Sequence, residues 1–363
     1  MEPLRIALVR VYPPPYGGMS IHIQRLLDGC LNNGIRCTVF DISLRVKKTQ
    51  NVLNINILRI WNWLHVLGSH WDIFHVHAVD WNWQIPEFFH YLAKIKHAKF
   101  IVSYHAMSHS PEEFSRLGRR MTKDVLKSAA HCIAVNEEIK AKLVSLGAVP
   151  EKVSVVLPYL PPVVKEEEIA TVPPPVWTFM AAHKPIISAN AFAIVRDKGE
   201  DLYGIDMCIE LCAALKSIYP DVGLVFFLPS IRDRQYFNEL KRRIYEKGIE
   251  DNFFFQTKPC QLYPVLMKSD IFVRPTLTDS YGVSVAEAIH FKVPAVASDV
   301  CQRPEGTVLF KNRDTAGFID RVKSVWGNYG EHKTQLESLA VTSPLDDILR
   351  IYRRLAGRES DLS

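Results

Sequence analysis

The strongest constraint on this chain is a repeated change of hydrophobic period. Short continuous apolar runs alternate with longer stretches whose apolar residues recur every three or four positions. The first run, RIALVRV, ends at Pro13, Pro14 and Pro15 and is followed by Gly17 and Gly18. MSIHIQRLLDGCLNNG then places Ile23, Leu26, Leu27, Cys30 and Leu31 at helical spacing, with Gly34 as a stop, and RCTVFDI returns to strand character. A continuous apolar run fits a strand covered on both faces, and a spacing of three to four fits a helix lying on that sheet. Strand, glycine-bearing loop, helix and strand make a βαβ unit, so a parallel sheet is expected.

The alternation continues. DIFHVHA, KFIVSYHA, HCIAVN and KVSVVLP read as further strands, with helices in HYLAKIKH and over 121–128. A segment rich in proline and charge, YLPPVVKEEEIATVPPPVW, then interrupts the series. After it the pattern resumes: PIISANA, GLVFFLP, NFFFQT, DIFVRPT and PAVASD as strands, with helices in DLYGIDMCIELCAALKSIYP, QYFNELKRRIYEKG, LYPVLMKS and VSVAEAIHFK. A last amphipathic helix lies in LDDILRIYRRLAG. The reading is α/β, two Rossmann-like domains facing across a cleft. The first spans 1–160, a proline-rich linker 161–176, the second domain 177–340, and 341–363 is a helix expected to pack back toward the first domain. Open parallel sheets bind ligands beyond the carboxyl ends of their strands, which is where the sites are sought.

Composition narrows the class. The chain has 363 residues, enough for two ordinary domains. A net charge of +5 favours anionic ligands or an anionic membrane surface without implying nucleic acid. Seven scattered cysteines without a C-x-x-C pair fit reduced thiols, and Cys208 and Cys212, four apart, fit a helix core. No run approaches the ~20 apolar residues of a membrane span, and the N-terminal run is shorter than an export signal, so a cytoplasmic protein is expected. NVLNINILRIWNWLHVLG, broken by Asn and Arg, fits a segment lying against a surface, and peripheral contact with the inner face of a membrane is included in the expectation. Trp61, Trp63, Trp71, Trp81 and Trp83 crowd one stretch of the first domain, where core packing, sugar stacking and membrane-interface roles all remain open. EEFSRLGRRMTKDVLK is a basic helical segment fitting either a solvated face or a contact with anionic lipid.

The chemistry concentrates in RPTLTDSYGVSVAEAIHFKVPAVASDVCQRPEGTVLF, from Arg274 to Phe310. A strand ends at Pro275, a loop carries Asp279, Ser280, Tyr281 and Gly282, and a helix starts near Val283 and carries Glu287. A helix N-terminus offers free amides and a positive dipole end to a phosphate. A carboxylate just inside the helix can accept both hydroxyls of a ribose, and the loop carboxylate can accept sugar hydroxyls. This stretch resembles the retaining family-four glycosyltransferases, which have two-lobed GT-B folds. Their E-x(7)-E hallmark, E-G-F-G-x-x-x-x-E-A followed by G-x-P-V-V-A-S, is matched by D-S-Y-G-V-S-V-A-E-A followed by K-V-P-A-V-A-S, with Asp279 in place of the first Glu.

The resemblance extends over most of the chain. P-P-P-Y-G-G-M is similar to the family's glycine loop, which implies donor contacts at Gly17 and Gly18. Y-H-A is similar to its strand-end T-x-H-G and implies His105 near the reaction centre. D-x-x-H-x-H, with His75 and His77, is a family feature without metal, although an H-x-H on one strand face also fits a metal site. The family's G-R-L-x-x-x-K-G-x-D is matched in part by SANAFAIVRDKGEDLYG. Lys198 and Gly199 are kept, Ala193 stands at the arginine position, and Arg196 is the candidate substitute.

The resemblance implies a metal-independent hexosyl transfer from a nucleoside-diphosphate sugar to a saccharide or lipid-linked acceptor, with surface polysaccharide assembly as the expected setting. His105, Asp279 and Lys198 are the expected catalytic residues. Gly17, Gly18, Arg196, Lys198, Ser280, Tyr281, Gly282, Val283 and Glu287 are the expected donor-binding residues. No metal and no cofactor beyond the sugar nucleotide are expected, and no D-x-D occurs around the motif. Three alternatives stay open: a phosphorylase or epimerase on the same fold, a non-catalytic partner subunit, and a nucleotide-binding module. Against the last, no G-x-G-x-x-G follows the first strand.

Overall fold

The structure, a computed structural model, describes residues 2–56, 59–79, 83–107, 115–339 and 344–358. The chain forms two compact units, one of residues 1–160 with 343–363 and one of 161–342. The first holds seven strands: β1 (Arg5–Val9), β2 (Arg36–Asp41), β3 (Val52–Asn54), β4 (Ile73–Ala78), β5 (Lys99–Tyr104), β6 (His131–Ala134) and β7 (Val153–Val155). All pairs are parallel, in the order β3-β2-β1-β4-β5-β6-β7. The order reverses at β1, so β1 and β4 flank the topological switch point.

Two cores sandwich this sheet because its strands are apolar on both faces. Helices Ile60–Gly68, Gln84–Ile95, Arg116–Ser128 and Glu137–Ser145 cover one face over Phe40, Phe74, Val76, Phe100 and Val102. Helix Gly18–Asn32 and the last helix, Pro344–Leu355, cover the other over Ile6, Leu8, Val39 and Ile101. The last helix is fixed by Tyr352, whose hydroxyl meets His75 at 2.6 Å, and Leu345 packs where Gly29 leaves room.

In the second unit β8 (Ile186–Asn190), β11 (Gly223–Phe227), β12 (Phe253–Gln256), β13 (Ile271–Arg274), β14 (Ala295–Ser298) and β15 (Val308–Phe310) form a parallel sheet in the order β12-β11-β8-β13-β14-β15. The switch point lies at β8 and β13. β9 (Arg196–Asp197) and β10 (Glu200–Asp201) make a separate antiparallel hairpin. Cys208 and Cys212 are fully buried in the core of this unit, and burial pushes the Cys212 thiol up to about 12, as core residues should behave.

One expectation needs correction. Part of the proline-rich stretch 161–176 is helical, at Glu166–Ile169 and in a helix that starts at Pro174 and runs to Ala182. Val172, Val176 and Met180 are buried against Ile186, Val225 and Phe227 of the second sheet. Proline ends a helix interior but fits its first turn, where no amide partner is lost, so P-P-P here starts a helix. The tryptophans also divide: Trp71 is core, its indole donating to Val66 O at 3.2 Å, Trp63 is partly buried against Phe88 and Phe89, and Trp61 is 80% exposed. Trp81, and the Glu112–Phe114 start of the basic segment, lie outside the described residues.

Candidate functional site

In the first unit, the loop after β1 leads through Gly17 into helix Gly18–Asn32. The Gly17 N–H donates to Ser20 Oγ at 3.0 Å, which fixes the first turn. Neither glycine is required by backbone strain here: Gly17 is extended, and a Cβ on Gly18 would meet nothing within 4 Å. One turn on, His22 is buried, with Nδ1 2.8 Å from the Pro158 carbonyl. A carbonyl only accepts, so Nδ1 carries the proton and Nε2 holds a lone pair.

His75 and His77 share one face of β4, their rings 4.1 Å apart. His75 is fully engaged, by Tyr352 at Nδ1 and by Ser103 Oγ at Nε2, 2.7 Å away. His77 Nδ1 meets Nε2 of His105, which follows β5, at 3.0 Å, while His77 Nε2 is buried without a hydrogen-bond partner. The possible metal pair of the H-x-H therefore gives way to a different trio. Nitrogens of His22, His77 and His105 lie within 4.8 Å of one another, and they are the cluster among the described residues with a metal-ligand arrangement. Burial drives every one of these rings toward the neutral form. The His22 value falls to about 4 and that of His75 to about 3, and His77 and His105 are also held well below the ordinary value, with neighbouring positive charge adding to the effect. Such imidazoles donate and accept hydrogen bonds near neutrality but do not act as imidazolium acids.

In the second unit the chain leaves β13 at Arg274 and turns through Asp279 to Gly282, the N-cap of helix Val283–His290. Asp279 Oδ2 accepts from Arg274 Nε at 3.2 Å and from Arg303 Nη1 at 2.9 Å, and Oδ1 accepts the Ser280 N–H at 3.0 Å. Burial raises the Asp279 carboxyl. The charges and hydrogen bonds of Arg274 and Arg303 more than offset this, so the group sits below the usual carboxylate range. Arg303 is itself held by Ser298 O at 2.9 Å and by the Thr276 and Ser298 hydroxyls at 3.1 Å, and Arg274 Nη1 donates to Asn190 O at 2.8 Å. Gly282 is required twice over. Its φ is +87°, and a Cβ would stand 2.6 Å from Arg303 Nη1. Ser280 is exposed, Tyr281 is buried, and Glu287, in the second turn of the helix, is 5% exposed.

Lys198 and Arg196 stand elsewhere in this unit. Lys198 and Gly199, both at positive φ, make the two-residue turn of the β9–β10 hairpin. Lys198 is exposed at its tip. Arg196 is engaged by Asp233 at 3.2 Å and lies over the Tyr236 ring. His22, Arg274, Arg303 and Asn190 escape the sequence reading. Arg274 is visible as a charge closing the apolar run DIFVRPT, but Arg303 joins Asp279 across 24 residues, and no local pattern signals that.

Residues 16–159 match the family model described as Glycosyltransferase Family 4, and residues 184–319 match the one described as Glycosyl transferases group 1. No curated protein matches the sequence. Among solved structures, a glycosyltransferase from Rickettsia africae ESF-5 is similar at 14% identity and TM-score 0.69, covering 98% of this chain and 99% of that one. The Anabaena protein Alr3699/HepE in complex with UDP is similar at 13% identity and TM-score 0.65, covering 99% and 100%. Trehalose-6-phosphate synthase, OtsA, is similar at 13% and TM-score 0.62, covering 97% of each. At these identities the likeness establishes the GT-B fold, with two Rossmann-like units.

Proposed function

For a chain made of two glycosyltransferase domains in series, we propose transfer of a hexose or related sugar from a nucleoside-diphosphate donor to a saccharide or lipid-linked acceptor, with retention at the anomeric carbon. The observation that carries this reading is the ionic cluster at the carboxyl ends of β13 and β14, beside the N-terminus of helix Val283–His290. Arg274 and Arg303 against Asp279 leave one net positive charge, and the first-turn amides add a positive dipole end. That field suits a diphosphate. The Anabaena neighbour in complex with UDP supports a uridine nucleotide as the first ligand to try.

In this reading Glu287 accepts the ribose hydroxyls. Asp279, its Oδ2 taken by both guanidinium groups, offers the remaining lone pair of Oδ1 to a donor-sugar hydroxyl. The glycosidic C1–O bond to the diphosphate breaks with oxocarbenium character and the acceptor oxygen bonds C1 on the same face. Its proton passes to the departing phosphate oxygen. Positive groups around the leaving phosphate lower this barrier, Lys198 among them once the hairpin tip reaches the donor. Gly17 and Gly18 admit a ligand to the amides of the first helix, and His105, kept neutral, binds a sugar hydroxyl without supplying a proton. Neither a metal nor a side-chain nucleophile is needed. Assembly of surface polysaccharide is the proposed setting.

A second reading, a non-catalytic partner subunit, draws support from Arg196 being engaged by Asp233 and over Tyr236. Thermal unfolding with UDP, GDP, ADP and their sugar conjugates separates the two, because a ligand that binds the folded state raises the midpoint. A rise with one nucleotide and its sugar, followed by release of that nucleoside diphosphate on incubation with acceptor, is the expected result. No shift with any of them would remove the enzymatic reading.

A further inference from the structure

Helices Ile60–Gly68, Gln84–Ile95 and Arg116–Ser128 lie in one layer. Their inward residues Val66, Phe89, Leu92, Val125 and Leu126 share a single core on one face of the first sheet. The layer is continuous. Trp63 of the first helix packs edge-on against Phe88 of the second, 5.4 Å apart, and Lys96 Nζ donates to Leu67 O at 2.5 Å. His90 of the second helix meets Ser128 Oγ of the third at 2.9 Å. The outward sides of the three helices therefore form one surface.

An outward helix side in water is normally polar. The first helix, IWNWLHVLG, contains no Asp, Glu, Lys or Arg, and Ile60, Trp61, Leu64 and Leu67 all face outward. On the second, Phe88, Tyr91 and Ile95 continue the apolar field at helical spacing, with Ile95 74% exposed. On the third, Arg116, Arg120, Lys123 and Lys127 recur at i, i+4, i+7 and i+11 and are all exposed, making a basic row along the layer's third helix, interrupted by one exposed acid, Asp124, with Lys123 and Lys127 on the side toward Gly147. A contiguous apolar patch of this kind marks an interaction surface. Apolar residues with an exposed Trp and Tyr, in one helix layer with a predominantly cationic row, match the depth profile of a bilayer. The apolar side chains meet the acyl boundary, the amphipathic rings the headgroup level, and the cations the phosphates. A symmetric self-contact would bury the apolar field without calling on the basic row.

We propose that this three-helix face docks the protein on an anionic lipid bilayer. No described helix is long and apolar enough to cross one, so the contact is peripheral. The proposal is independent of the sugar chemistry and does not depend on the donor being identified.

The test is co-sedimentation of the full chain with vesicles of phosphatidylcholine alone and of an equal mixture of phosphatidylcholine and phosphatidylglycerol. Binding is expected to the mixed vesicles only, and to weaken as salt screens it. Arg120→Gln with Lys123→Gln should weaken partitioning about thirtyfold, and Trp61→Gln with Leu64→Gln at least about tenfold. Unfolding midpoints should stay put because these side chains are exposed, and Leu309→Gln, an exposed apolar position in the second unit, should leave binding unchanged. The proposal is overturned by absent binding to mixed vesicles, by equal binding to neutral ones, or by folded variants that bind like the parent. Lipid-free self-association that Trp61→Gln abolishes would assign the face to a second copy and overturn it equally.

Discussion

The two units share a strand order and place their candidate sites at the same corner of the sheet, yet they solve the electrostatics of burial in opposite ways. At β4 and β5 of the first unit, His22, His75, His77 and His105 are crowded together and lose their charge to burial. At β13 and β14 of the second, Asp279 keeps its charge because Arg274 and Arg303 compensate it. The fold supplies a location, and the side chains decide whether that location presents neutral hydrogen-bonding groups or a fixed field. A reaction that separates a diphosphate from a sugar has use for both.

Acid should separate the two sites most strongly. His22 has its value lowered from 6.5 to about 4, so below 6.5 the unfolded chain takes up protons that the folded one refuses. Stability is therefore full above 6.5 and lost as pH falls toward 4, by up to about 1.4 kcal/mol per pH unit for each such histidine. For Asp279, whose value is depressed, the contribution is present above the ordinary carboxylate value of 3.8 and is lost only as pH falls through the still lower folded value. Unfolding midpoints measured at pH 7 and pH 5 should fall with acid in the parent and fall less in His22→Gln. A fall equal to the parent's in Asp279→Asn and a smaller fall in His22→Gln make the expected pair. Reversal of that pair would break the comparison.

Removing one partner from the charged cluster comes next. Arg303→Met leaves Asp279 with half of its compensation and should cost about 3 kcal/mol in denaturant unfolding. His77→Leu, which removes a neutral ring of similar burial, should cost clearly less. If the two cost the same, charge compensation is not what distinguishes the second unit.

Four substitutions then sharpen the division of labour. Glu287→Ala should weaken nucleoside-diphosphate binding by about 1.5–3 kcal/mol, as expected for hydrogen bonds to a charged acceptor. Unchanged affinity in a folded variant would take Glu287 out of the site. Asp279→Ala and His105→Ala should each cut turnover at least tenfold, about 1.4 kcal/mol, while leaving affinity for the bare nucleotide near the parent value. Asp279→Glu is expected to retain turnover or change the donor preference. The smallest effect is expected from chelation: turnover should persist in EDTA. Loss that manganese or magnesium restores would redirect attention to the trio of His22, His77 and His105 as a metal site.

The alternation of apolar runs and helical spacing was enough to read the order of most strands, because a doubly covered parallel strand must be apolar along its length. Short, mixed elements were not legible: β3 and β15 are three residues each, and the hairpin β9–β10 is wholly polar. Helices Thr315–Gly327 and Tyr329–Ser338 were missed as well, while the proline-rich stretch was read as tether instead of helix.

What the sequence determined by itself was the α/β class, the division in two, the positions of Gly282 and Glu287 at the start of a helix, and His105 after a strand. All of these depend on residues close in the chain, where periodicity and turn chemistry act. Only the tertiary structure decided that Asp279 is bound by two arginines, one of them 24 residues away, and that His22, from a different element, joins His77 and His105. It alone turned three separate helices into one apolar and basic face. Charge state, ion pairing and surface continuity depend on which distant groups share a small volume, and the strand order brings those groups together without leaving a local pattern.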